Sequence, residues 1–388
     1  MIFILQPPSC YLYCMKRFSL FIFLLLSFGF LSGQQKNKTK NYFPAAGVWE
    51  KRLPQQAGFD TAKLNGAIRF AISNESKNPR SMESNHSRTF GKEPFGEGIG
   101  LFADRGDATG IIIHKGYIIA EWGEPARVDM THSVTKSFLS AVVGLAVDKG
   151  LIKNVNDTVA NYVDTVQLYK HDSAGLHFIY PFQSLHNKQL TWETMLRQTS
   201  DWEGTLWDKP DWADRPDKDI TKWNNRVRNK PGTVFEYNDV RVNALALAAT
   251  LVWEKPLPEV LEDNIMYPIG ASNTWKWEGY RNSWIEINNA PVQSVSGGGH
   301  WGGGMFINAY DMARFGLLTL HKGRWKRKQL IPRQWINQSL TPTTANPEYG
   351  YMNFFLNTDK KFLPAAPATA FVHIGNGTNI VYVDPEND

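Results

Sequence analysis

The segment Thr131-His132-Ser133-Val134-Thr135-Lys136-Ser137-Phe138 places a serine and a lysine three residues apart at the head of an apolar run. Val134, Phe138, Leu139, Val142, Val143, Leu145 and Ala146 cover most of the circumference of the helix this run predicts, and Lys149-Gly150 supplies its stop. A helix that is apolar on most sides belongs in an interior, so the rest of the chain must wrap a core around it. Residues three apart share a helix face, which puts the Lys136 amine beside the Ser133 hydroxyl. Burying an ammonium is costly, and a lysine in the first turn of such a helix needs a reason. An amine that takes the proton of a neighbouring serine is one such reason. The pair is the only Ser-x-x-Lys in the sequence. Taken alone it fits equally a helix start with a surface lysine.

With 388 residues and 42% hydrophobic residues, the chain can bury a large core, as one domain of two lobes or as two domains. Its net charge of +5 is a mild excess, partly carried by Lys36, Lys38 and Lys40. There is no basic-aromatic pattern of a nucleic-acid binder. Lys16-Arg17 leads into an apolar run over residues 18–31, followed by Ser32-Gly33. This reads as a signal peptide within residues 1–33, with translation starting at Met15 and cleavage near Gly33. The run is short for a membrane span, so no stable insertion is expected after cleavage; the alternative is an uncleaved tether. A secreted or periplasmic protein is expected. Both cysteines, Cys10 and Cys14, precede the run, so the mature chain has no disulfide, no thiol nucleophile and no cysteine metal site.

Residues 34–46 read as a linker and residues 47–388 as one domain. Residues 60–73 predict a helix, 74–97 an exposed polar loop, and 110–120 a hairpin around His114-Lys115-Gly116. Residues 151–290 read as an inserted helical lobe that includes a helix over 239–253. A further helix is predicted over 309–321, and strands over 371–375 and 379–384 flank Asn376-Gly377. Strands at both ends with helices between them predict an α+β fold, an antiparallel sheet flanked by helices.

Four more segments join the first in order and spacing. Phe235-Glu236-Tyr237-Asn238-Asp239 precedes a predicted helix, and His373-Ile374-Gly375 lies in a predicted strand. Leu196-Arg197-Gln198-Thr199-Ser200-Asp201-Trp202 falls between the Ser133 and Tyr237 segments, and the run from Gly297 to Gly304 with its successor Tyr310-Asp311-Met312-Ala313-Arg314-Phe315 falls between the Tyr237 and His373 segments. Together these resemble the β-lactamase-related serine hydrolases, whose motifs are Ser-x-x-Lys, Tyr-x-Asn and Lys-Thr-Gly or His-x-Gly. Within them the chain is similar to the branch of class C β-lactamases, D-alanyl-D-alanine carboxypeptidases, β-lactamase-fold esterases and 6-aminohexanoate-dimer hydrolases. The strings Tyr237-Asn238-Asp239-Val240-Arg241-Val242-Asn243 and Tyr382-Val383-Asp384-Pro385-Glu386 look most like relatives of the last group.

The resemblance implies a β-lactamase/transpeptidase-like fold and an acyl-enzyme on Ser133, with Lys136 as base and Tyr237 as proton relay. It assigns His373, Gly375, Asn376, Asp239 and Trp301 to substrate and oxyanion contacts, the backbone N–H groups of Ser133 and Asn376 forming the oxyanion hole. Asp239 stands where the family has Asn, which unsettles that position's role. His132 reads as structural, and the glycine run either as a loop or, with His300 and Trp301, as a pocket edge. No metal or cofactor is called for. The expected substrate is a small molecule or short peptide carrying an ester or amide bond; a β-lactam would use the same machinery. The rival expectation is an impaired penicillin-binding or sensor protein on the same fold. The resembled fold continues past residue 388 with a strand and a long helix, and a chain lacking them is expected to dissolve poorly.

Overall fold

Short polar side chains that imitate a backbone acceptor start the long helices of this chain. Asp60 accepts from Ala62 N and Lys63 N at the head of α1 (Thr61–Ser73). Helix α2 (Thr135–Asp148) grows instead out of a tight turn over His132–Val134. Asn238 accepts from Arg241 N at the head of α3 (Asp239–Trp253), and Asn308 accepts from Asp311 N at the head of α4 (Ala309–Leu320). The computed structural model describes residues 41–169, 177–355 and 363–388. The expected signal peptide, both cysteines and residues 34–40 of the expected linker lie outside the described residues.

Helices α2 and α3 form the centre. Residues 135–146 of the first and 239–250 of the second are buried throughout. The alanines of α3 at 244, 246, 248 and 249 let its neighbours approach closely. Phe138 of α2 stacks on Phe315 of α4 with ring centroids 4.1 Å apart. Each fully buried Leu or Phe in this cluster contributes about 1.5–3 kcal/mol relative to leaving it exposed.

Apart from two short pairs, Thr205–Leu206 with Lys209–Pro210 and Arg324–Trp325 with Lys328–Gln329, the strands among the described residues are β1 (Gly110–His114), β2 (Tyr117–Trp122), β3 (Asp129–Met130), β4 (Val166–Leu168), β5 (His177–Ile179), β6 (Lys276–Ile287), β7 (Ala290–Val295), β8 (Gly304–Ile307), β9 (Phe371–Gly375) and β10 (Asn379–Val383). The largest sheet among the described residues runs β3-β8-β6-β4-β5, with β7 also on β6. It is antiparallel throughout. Hairpins β1–β2 and β9–β10 each stay two-stranded and flank α4. The described lobe is therefore not purely helical, since residues 151–290 contribute β4, β5 and most of the β6–β7 hairpin. The β6 signal is masked by a register shift between Gly279 and Trp284, which breaks the alternation of Trp277, Tyr280, Ile285 and Ile287.

The expected linker ends earlier than residue 46. Tyr42 stacks on Tyr117 at 4.2 Å between centroids, and the Arg314 guanidinium donates to Pro44 O at 3.3 Å and Ala45 O at 2.7 Å. Trp192, Trp202 and Trp207 are core residues. Trp212 and Trp223 stack at 4.7 Å beside an open hollow of about 320 Å³ that Arg228 also lines. Among the described residues no helix is long and apolar enough to cross a membrane.

Candidate active site

Ser133 sits in the tight turn that feeds α2, directly after a residue in an unusual conformation. His132 has φ +49°, the left-handed region that non-glycine residues rarely occupy. The surroundings hold it there. Thr131 Oγ1 donates to Met305 O at 2.9 Å, and Met305 N donates to Thr135 Oγ1 at 2.8 Å, so β8 clamps the turn on both sides of the serine. Strain that is over-determined in this way is characteristic of reactive sites.

Lys136 Nζ lies 2.8 Å from Ser133 Oγ, one helical turn on. The lysine side chain is 1% exposed and forms an ion pair with Asp239 at the first position of α3. Burial pushes its ammonium pKa below the ordinary value, against the pull of Asp239. Burial alone would raise the Asp239 carboxyl, but the charges of Lys136 and Arg215 outweigh it and hold it below the usual range. Tyr237 stands on the Ser133 side of the lysine, its ring 4.7 Å from Lys136 Nζ. Burial raises the phenol, so Tyr237 is a proton donor at neutral pH. Gln198, in the segment 196–202, steadies this corner. Its carbonyl accepts from Asn238 N at 2.8 Å, and its amide donates to Tyr349 OH at 2.8 Å.

Glycines seal the site. A Cβ on Gly298 would stand 2.1 Å from Lys136 Nζ and 2.6 Å from Asp239 Oδ1. The glycine run is buried backbone packed against the ion pair, not an open loop or a pocket edge. A Cβ on Gly375 would stand 2.0 Å from Thr131 O and 3.0 Å from Ser133 N, so β9 lies directly against the turn that carries the serine. Asn376 follows. Its side chain accepts from Gly377 N at 2.9 Å and its carbonyl accepts from Asn379 Nδ2 at 2.7 Å, fixing the β9–β10 turn beside the serine's turn.

Three expected contacts differ. His373 points inward: Nδ1 pairs with Ser137 Oγ at 2.8 Å and Nε2 with Thr319 Oγ1 at 3.3 Å. Two strand residues span about one helical turn, so while Gly375 meets the Ser133 turn, His373 meets Ser137, four residues further along. A void of about 20 Å³ lies there, lined by Ser137, Thr319 and His373. It is too small for a substrate. Trp301 is fully buried and packs against His300 at 4.3 Å, a core residue rather than a substrate wall. Asp239 is the partner of Lys136, not an oxyanion contact.

Other residues enter from segments with no motif. Asp214 accepts from the backbone N–H of Asp239 and pairs with Arg215, whose guanidinium carbon lies 5.1 Å from the Tyr237 ring centre. His300 lies between Asp214 and Glu93, and Phe90 packs on its ring at 4.1 Å. The loop that brings Glu93 is held from the lobe: Lys209 Nζ donates to Phe95 O at 2.6 Å and Glu97 O at 2.8 Å. Glu93, Asp214 and His300 are the one convergence of metal-ligating residue types among the described residues. The two carboxylates approach different ring nitrogens of His300, and one ligand atom from each of the three residues lies within 4.8 Å of the others.

Burial holds His132 down to about 4 and His373 to about 3, against an ordinary 6.5. The unfolded chain therefore binds protons between pH 6.5 and those values that the folded chain refuses, and stability is lost as pH falls through that window. Each histidine is expected to remove about 3 kcal/mol by pH 4. Thermal melts from pH 7.5 to 4 would check this; a constant midpoint would contradict it.

A family model described as Beta-lactamase matches residues 105–388. No curated protein sequence matches the chain. Among solved structures, one provisionally assigned as a 6-aminohexanoate-dimer hydrolase from Bacillus anthracis is 16% identical, with 72% of this chain and 71% of that one covered at a TM-score of 0.48. One provisionally assigned as a β-lactamase from Bacteroides dorei DSM 17855 is 15% identical over 71% and 80%, at 0.49. The octameric penicillin-binding protein homologue from Pyrococcus abyssi is 15% identical over 85% and 72%, at 0.48.

Proposed function

Since the chain belongs to the Beta-lactamase family, with its α+β β-lactamase/transpeptidase-like fold, we propose that it is an exported serine hydrolase that cleaves an ester or amide bond through an acyl-enzyme on Ser133. One observation carries this reading: a buried amine lies 2.8 Å from a serine hydroxyl and 4.7 Å from a tyrosine ring. In the forward step the Ser133 O–H proton passes to neutral Lys136 as Oγ bonds the carbonyl carbon. The carbonyl electrons move to its oxygen, which the Ser133 N–H and the Asn376 N–H stabilise. When the carbonyl re-forms, the bond to the leaving group breaks, and Tyr237 donates the proton that group needs. Water then attacks the acyl-serine by the reverse proton path. The substrate is a small ester, linear amide, short D-amino peptide or β-lactam. Export is supported by the basic-then-apolar sequence at residues 16–31.

The test is the intact mass of the protein after a fluorophosphonate probe, beside Ser133→Ala. An adduct on the wild type alone is expected. A folded wild type without an adduct, or an adduct on both proteins, would sink the reading.

A second reading is favoured by the Lys136–Asp239 ion pair. A carboxylate where an amide would stand favours the charged ammonium, and a protein that acylates slowly and fails to turn over follows from it. Burst-and-stop release of product would select this reading; steady turnover would exclude it.

A further inference from the structure

The positive charge of this chain is not spread over its surface. Beyond the end of α4 the chain turns back on itself through Arg324–Trp325 and Lys328–Gln329. Lys322, Arg324, Lys326, Arg327, Lys328 and Arg333 fall on this hairpin and its feet, with no Asp or Glu between Asp311 and Glu348. The chain has 42 basic and 37 acidic residues; with these six and the five basic residues before Asn41 set aside, 31 basic residues face 37 acidic ones. A cationic hairpin therefore stands on an acidic body. All six cations are exposed, and among the described residues none of them forms an ion pair. Asp388 bears on His321 at the hairpin's foot.

The hairpin is fixed rather than loose. Trp325, 3% exposed, roots it in the core. Gln329 Nε2 donates to Lys322 O and to Ile331 O, both at 2.6 Å, and ties the two feet together. Lys326 and Arg327 form the tip between the paired Trp325 and Lys328. Lys326 holds φ +54°, in a turn that ordinarily uses Gly, Asn or Asp there. The tip keeps its charge against local conformational preference.

We infer that this hairpin docks the protein on an anionic phospholipid surface, its six cations meeting the headgroup phosphates. Charge complementarity calls for a polyanion, and two further observations select the bilayer. The first described residues lie against the hairpin: Phe43 meets Trp325 edge-on at 5.1 Å and His321 at 4.8 Å between ring centroids. The sequence leading into that point carries Lys36, Lys38 and Lys40 and, before them, the apolar run over residues 18–31. A basic patch beside an apolar segment is the two-signal pattern of membrane-surface attachment. Nucleic acid fits less well, because the hairpin's one aromatic residue, Trp325, is buried and offers no face for stacking bases. With no exposed apolar wedge on the hairpin, the attachment is electrostatic and weakens as salt rises. It does not depend on Ser133 being the nucleophile.

The experiment is a lysine footprint on the full chain. An amine-acylating reagent is applied in the presence of phosphatidylcholine vesicles, or of vesicles containing phosphatidylglycerol, and each lysine is read by mass spectrometry. The apolar run can bring the chain to either vesicle; only the anionic one should cover the hairpin. Acylation of Lys322, Lys326 and Lys328 is expected to slow several-fold on the anionic vesicles at low salt and to recover at high salt. Lys63, with a side chain 87% exposed on α1, is the reference and should react alike on both. The triple variant Lys326→Gln, Arg327→Gln, Lys328→Gln changes exposed positions alone and leaves Lys322 as its reporter. Three cations are worth about 100-fold in surface association, which should return Lys322 to its rate on phosphatidylcholine. Equal hairpin reactivity on the two vesicles overturns the proposal, and so does equal protection of Lys63, which would mean indiscriminate coating. Protection by dextran sulfate or duplex DNA at charge concentrations where anionic vesicles give none would assign the hairpin to a soluble polyanion and overturn the bilayer.

Discussion

Lys136→Ala is expected to lower Ser133-dependent hydrolysis by about 10²–10⁴-fold and to destabilise the fold at the same time. The two effects have separate causes. The first is loss of the base 2.8 Å from Ser133 Oγ. The second comes from Asp239, 2% exposed, whose carboxylate would lose its closest cation. Removing one partner of a buried pair costs about 3–5 kcal/mol, more than the pair contributes over a neutral replacement. A double variant separates them. Lys136→Ala with Asp239→Asn should regain much of the stability and none of the activity. Chemical denaturation and steady-state kinetics on the wild type and the two variants check this. A Lys136→Ala protein as stable as wild type would mean that the pair is not buried as described; full activity would remove Lys136 from the reaction.

Gly375→Ala should be nearly as damaging, with no charge change. The added methyl would meet backbone on the facing side, Thr131 O at 2.0 Å and Ser133 N at 3.0 Å. Neither atom can rotate away, so β9 must retreat from the serine's turn. Overpacking of this kind costs about 1–3 kcal/mol. A displacement near 1 Å at reacting atoms costs about 10²-fold in rate. Gly66→Ala on α1 is the control. Its nearest neighbour would be Arg69 at 4.0 Å, and it should gain slightly in helix stability with no change in activity. Matching kinetics for Gly375→Ala and wild type would show that strand β9 need not touch the turn.

The sequence made the local elements readable because their signals are local. Helix α3 begins and ends where its apolar run predicts, and both end hairpins fall on their β-rich runs. The Lys136 amine beside Ser133 follows from helix periodicity alone. Strand β6 was hidden because its bulge near Gly279 destroys the two-residue alternation on which a strand is recognised. Residues 74–97 look like a solvated loop by composition, yet they include a short helix, Met82–Arg88, and carry Glu93 to a buried imidazole. No spacing rule links Glu93, Asp214 and His300, since only the folded chain brings them together. The assignment of His373 erred for a different reason. The motif marks a strand beside the nucleophile correctly, but it does not say which turn of the facing helix each side chain meets.

The Lys209 clasp on Phe95 and Glu97 has a consequence for anyone recombining this protein with its relatives. The loop and the lobe are distant in sequence but mechanically one piece, because the anchor for one is a side chain of the other. A chimera that takes residues 74–97 from one parent and 201–239 from another would separate Glu93 from Asp214 and Lys209 from the carbonyls it grips. Crossovers that keep these two segments from one parent are the ones that conserve the architecture, so the heritable module here is discontinuous along the gene.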